Sequence, residues 1–208
     1  MTVVPSALAI SLAVIAGYVD ALAYVGIGAF VANMTGNTVL LGIHGAYRQW
    51  LGLVRSGGAV LCFVAGVISS RLMLRGGASQ IVALACAACL LLMGALITGW
   101  KQLFVLAAAM GLQDAAVTQF GGTSINTTFI TGDLVKLGDA LVSLGTRSEA
   151  AQTARRLGGV WLGYVGGATC GALSAKVPIT THHLHPWLAL AAAALAAISL
   201  ASAWKRPR

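Results

Sequence analysis

Residues 17–42 read GYVDALAYVGIGAFVANMTGNTVLLG, and residues 111–138 read GLQDAAVTQFGGTSINTTFITGDLVKLG. Both begin Gly-x-x-Asp-Ala, pass a Gly-containing break and a β-prone run, and end Thr-Gly-Asn/Asp-x-Val-x-Leu-Gly. The last eight residues match in register, and the second copy carries two extra residues in the break. An acidic residue and a helix interruption that both occur twice set the plan of the chain.

The 208 residues are 58% hydrophobic and 9% charged, with a mean hydropathy of +0.87. A soluble domain carries about 25% charged residues, so water is the wrong solvent for most of this surface. Residues 1–19, 21–47, 76–100, 157–175 and 177–204 lack any Asp, Glu, Lys or Arg. A bilayer span needs about 20 mostly apolar residues. The composition therefore defines a polytopic membrane protein, and the net charge of +8 reads as basic cytoplasmic loops rather than a nucleic-acid surface. The start MTVVPS has no positive n-region, which argues against a cleaved signal peptide.

The chain predicts an all-α membrane protein of one domain, 1–208, built from two homologous repeats, 1–102 and 103–208. Six transmembrane helices are expected at about 8–28, 55–71, 81–100, 103–120, from 156 onward, and 185–204. Two broken segments, each an extended piece (29–33 and 125–130) followed by a half-helix, complete the repeats. Arg55-Ser-Gly-Gly and Arg156-Leu-Gly-Gly open matching helices, and Trp100-Lys101 is echoed by Trp204-Lys205. If the broken segments cross, Arg48, Arg55, Lys101, Arg147, Arg155, Arg156, Lys205, Arg206 and Arg208 share one side against Arg71, Arg75 and Lys176. About six extended and eleven helical residues would reach roughly 35 Å. Charge and reach thus favour eight crossings with parallel repeats and a cytoplasmic N-terminus; re-entrant segments would give six crossings with inverted repeats.

Small residues recur every fourth position at Gly58, Cys62, Gly66 and Ser70, and at Gly159, Gly163, Gly167 and Gly171. Such a face lets another backbone approach closely, either from the other repeat or from a second copy in a homo-oligomer. Cys62, Cys86, Cys89 and Cys170 read as buried free thiols, and no metal or cofactor is expected. His44 reads as a packing residue, and His182, His183 and His185 as a solvated loop.

Charged side chains inside spans are costly and face a bundle interior or water. Asp20 and Asp114 read either as a proton or cation relay or as structural acids that bond the free N–H groups of a broken helix. Thr35 or Asn37 is expected to cap the first half-helix. Paired interrupted helices are the best sequence pointer to a transporter's central site. The substrate-binding set is therefore Asp20, Asn33, Thr35, Gly36, Asn37, Asp114, Thr131, Gly132 and Asp133, with the two Thr-Gly starts facing each other. Lys136, Asp139 and Ser143 extend a polar stripe from Asp133 that the first copy lacks, where Leu40 stands for Lys136. No GxSxG, HExxH or phosphate-loop pattern is present, so no catalytic residue is assigned.

The paired motifs VANMTGN and TTFITGD, set in these two copies, resemble the YoaK-type family of uncharacterised bacterial membrane proteins, over nearly the whole chain. The resemblance implies an inner-membrane location and about six helices, and no established substrate. The functional expectation is a small-solute secondary transporter or channel, with proton coupling, whose helix N-termini favour an anionic or hydrogen-bonding solute. The alternative is a non-transporting scaffold or accessory subunit that assembles through the glycine faces.

Overall fold

The computed structural model describes residues 6–117, 130–145, 149–176 and 185–204. Among these there are eight α-helices and no strand: α1 Ser6–Ile27, α2 Met34–Ala46, α3 Trp50–Arg75, α4 Gln80–Leu96, α5 Gln102–Ala116, α6 Ile130–Val142, α7 Ala150–Lys176 and α8 His185–Trp204. A 3-10 turn, Gly99–Lys101, leads into α5. Two helices, α1 and α3, are long and apolar enough to cross a bilayer by that measure alone. α4 and the 188–198 part of α8 are apolar but shorter, and α7 is diluted by its many glycines.

The interior is built of small side chains. Ala13, Ala16, Ala87, Ala107 and Ala109 are fully buried among leucines such as Leu12, Leu91, Leu106 and Leu195. The outward face of α3 carries Leu61, Val64, Ile68 and Leu72, all exposed. Lipid is as apolar as leucine, so burial of large side chains gives helices no reason to associate; close backbone approach does. Small residues at the points of closest helix contact, with leucines filling the space between, are the pattern this predicts.

Glycine makes the closest contacts. A Cβ on Gly17 would strike the Tyr164 carbonyl, and one on Gly167 or Gly171 would strike the carbonyls of Val14 or Tyr18. α1 and α7 are thus pressed backbone to backbone. The contacts climb in step, Gly163 at Ile10, Gly167 at Val14 and Gly171 at Tyr18, so the two helices run parallel. α3 and α5 meet the same way: Gly66 lies against the Ala108 carbonyl and Gly111 against the Phe63 carbonyl. The stripe of Gly159, Gly163, Gly167 and Gly171 is therefore seated on α1 of the same chain. α4 packs on α5 and α8, and α8 also touches α1.

α2 turns back along the start of α3, and α6 likewise packs on α7. Arg48, at φ 54°, ends α2 in a left-handed stop, and the Gln49 N–H returns to the His44 carbonyl at 2.8 Å. The His44 ring then fills the space above Gly52, with Nδ1 3.2 Å from Ser56 Oγ, which is a packing role. Cys89 and Cys170 are exposed rather than buried, because both fall on the outer faces of their helices; Cys62 and Cys86 are half-buried.

Candidate functional site

The first break begins at Gly28, whose φ of +81° permits a reversal that a side chain would resist. About 10 Å of α1 lies beyond Asp20, at roughly 1.5 Å per residue. Even so, the N–H groups of Val31 and Ala32 both donate to Asp20 Oδ1 at 2.7 Å. The chain has doubled back alongside α1, and Phe30 stacks on Tyr24 with ring centroids 4.5 Å apart. Residues 29–33 are bent rather than extended, so they add no reach across a bilayer. Without them, the 13 residues of α2 cover only about 20 Å of a hydrocarbon core about 30 Å thick.

Of the groups the sequence singled out in this break, Asp20, Asn33, Gly36 and Asn37 are engaged. Asp20 is 2% exposed, and its second oxygen, Oδ2, accepts the Tyr164 hydroxyl from α7. Asn33, not Thr35 or Asn37, caps α2: its Oδ1 accepts the Gly36 N–H at 3.0 Å. Asn37 is fully buried and closes a ring with Phe30, accepting the Phe30 N–H at 2.9 Å and donating to its carbonyl at 2.7 Å. Thr35 is exposed. The physical reason is that a chain reversing inside an apolar bundle exposes N–H and C=O groups that only nearby side chains can satisfy. The helix start is thereby filled by its own residues and presents no vacant N–H cluster to an anion.

The second half is built differently. Asp133 lies in the first turn of α6 and is 2% exposed. Its Oδ1 is 3.3 Å from Lys136 Nζ, while Oδ2 is buried without a hydrogen-bond partner among the described residues. Asp114 on α5 lies within electrostatic reach, so that two acids share this region. Lys136 is itself half-exposed and lines an open cavity of about 290 Å³ between α6 and α7, together with Asp139, Ser143, Glu149 and Thr153. Asp139 is exposed, as is Thr131, and Gly132 is half-buried. The extended piece expected at 125–130 lies outside the described residues except for Ile130, which begins α6.

The structure pairs Lys136 with Asp133, lines one cavity with Lys136 and Asp139, and leaves Asp114 within electrostatic reach of Asp133, while it brings Asp20, Asn33, Gly36 and Asn37 together elsewhere. It does not press the two Thr-Gly starts together: α2 packs on α3 and α6 on α7. Sequence reasoning missed two residues. Tyr164, the donor to Asp20, stands opposite Phe63 in the register that matches Arg156 with Arg55; a tyrosine exchanged for phenylalanine inside a span is the signal that could have found it. Gln113 is fully buried and donates to the Leu12 carbonyl at 3.3 Å, joining α5 to α1. Among the described residues, no three His, Cys, Asp or Glu side chains come together to hold a metal.

A helical bundle packed through glycine, leucine-faced on the outside and holding buried acids at helix breaks, defines an integral membrane protein. The chain belongs to the family described as protein of unknown function DUF1275, whose model matches residues 8–201. It is 32% identical over 137 residues to the UPF0700 transmembrane protein YoaK of Bacillus subtilis. That match spans 59% of this chain and 60% of the relative. No solved structure matches.

Proposed function

We propose that this protein is a small-solute secondary transporter or channel of the bacterial inner membrane, whose working polar route runs through its second half. One observation carries the reading. Asp133 is a buried acid with one oxygen unpartnered among the described residues, and it is joined through Lys136 to an open cavity. Buried polar groups are ordinarily satisfied, as Asp20 is, and an intramembrane acid kept short of partners is expected to handle something that moves. Both helix starts carry their own acceptors, Asn33 with Asn37 and Asp133. The solute this suits is a cation or a neutral hydrogen-bond donor rather than an anion.

The reading includes two repeats related by an approximate twofold exchange, with six crossing helices, α2 and α6 entering partway, and a cytoplasmic N-terminus. Its support is the packing: Gly17 at Tyr164 and Gly111 at Phe63 are matching pairs, as are Gly167 at Val14 and Gly66 at Ala108. The contacts of α1 with α7 and α3 with α5, and of α2 with α3 and α6 with α7, interchange in the same way. A homo-oligomer would have to use a face other than the Gly159 to Gly171 stripe, which α1 covers. The satisfied first half favours the second reading, a scaffold subunit.

Flux in proteoliposomes, screened with small cationic and neutral solutes under an imposed pH gradient, separates the two. Transport predicts a flux that Asp133→Asn or Asp114→Asn abolishes while the protein stays folded. A scaffold predicts no flux above protein-free vesicles for any solute.

A further inference from the structure

The two copies of the motif differ at one atom whose chemistry matters. Asn37 fills its place by accepting through Oδ1 and donating through Nδ2 to the same residue, Phe30. Asp133 stands at the matching position, and an aspartate presents one acceptor and one donor only when one oxygen carries a proton. We propose that Asp133 is the proton-carrying group of this protein and that Lys136 is the cation which competes with the proton for it. This rests on the transport reading above and names what that route binds.

The geometry sets out the exchange. In one state the Lys136 ammonium holds Oδ1 and Oδ2 is bare. In the other, a hydronium ion arriving through the α6–α7 cavity gives its proton to Oδ2, forming an O–H bond and leaving water, and the Lys136 ammonium swings from Oδ1 into the cavity. The pair gains one positive charge, equal to the proton taken up. The surroundings bear on both states. Asp114 on α5 opposes a second negative charge at Asp133. On α6, Asp139 lies further along the cavity; Glu149, just before α7, also lines the cavity that receives Lys136, and the first turns of α7 carry Arg155 and Arg156. Lys136 keeps acidic neighbours when it leaves, which makes the exchange reversible.

The test is pH-difference infrared spectroscopy on the full chain reconstituted in lipid, reading the carbonyl stretch of a protonated carboxylic acid. Acidification should raise such a band in the parent protein, and Asp133→Asn should lose it. Lys136→Met should move its midpoint upward by about one to three pH units, the span a neighbouring opposite charge commands, and Asp114→Asn should move it downward. A band that persists in Asp133→Asn overturns the proposal. If that variant does not fold, a midpoint unmoved in Lys136→Met overturns it equally. The spectrum needs no transport, so a positive band with no flux would retire the transport reading and keep the proton site, and the converse result would do the opposite.

Discussion

The Tyr164 hydroxyl donates to Oδ2 of Asp20, tying α7 to α1 at the level where the chain between α1 and α2 folds back. Asp20 thereby gathers backbone N–H donors of the reversing chain and a hydroxyl from α7. Hydrogen bonds to a charged group contribute about 1.5–3 kcal/mol each. Tyr164→Phe should lower stability by about that much, read as a lower thermal midpoint in detergent, and Asp20→Asn should cost at least as much because it weakens the bonds to Val31 and Ala32. An unchanged midpoint for both would mean that this junction is not holding the break.

Phe63 stands where Tyr164 does in the matching helix and lies against Gly111 as Tyr164 lies against Gly17. Phe63→Tyr adds a hydroxyl to the side that holds Asp114. On the proposed route this should slow flux while leaving the thermal midpoint level or raised. Flux equal to the parent would place Asp114 out of that hydroxyl's reach.

Glycine substitutions should sort by what faces them. Gly167→Ala and Gly66→Ala drive a methyl into the carbonyls of Val14 and Ala108, whereas Gly158 and Gly166 have open space. Overpacking of this kind costs about 1–3 kcal/mol, and rigid backbone leaves little room to relax. The first two should lower the thermal midpoint, and Gly158→Ala and Gly166→Ala should leave it unmoved or slightly raised, alanine being the better helix former.

Asn37→Asp converts the first motif to the second. The carboxylate can still accept from the Phe30 N–H but cannot donate to its carbonyl, and a buried unsatisfied group costs about 1–3 kcal/mol. The protonated acid recovers the donor, so the deficit should shrink as pH falls and grow as pH rises. Thermal midpoints measured across pH should show that added slope in the variant relative to the parent. A deficit independent of pH would mean that the Phe30 ring of hydrogen bonds contributes nothing.

Membrane character was legible in the sequence because a bilayer imposes its demand residue by residue: few charges and long apolar runs suffice to state it. The seat of His44, the Gly spacing on α3 and α7, and the whole of α8 at 185–204 were also readable, since each depends on local pattern. The sequence further raised, as one of two alternatives, that Asp20 bonds the N–H groups of a broken helix. Its expectation of extended links was mistaken for residues 29–33. β-prone residues favour a strand only where a neighbouring strand takes their hydrogen bonds, and here Asp20 and Asn37 take them instead.

By itself, then, the sequence determined the apolar solvent, the all-helical class and the break after α1, because these follow from hydropathy and from residues adjacent in the chain. Tertiary structure alone decided which backbone each glycine touches, which acid is satisfied and which is not. Tyr164 reaches Asp20 across 144 residues of chain, and Asp133 Oδ2 is buried with no donor among the described residues; no local pattern encodes either. Two copies of one motif that look equivalent on the page became a closed joint in the first half and an open, charged pair in the second.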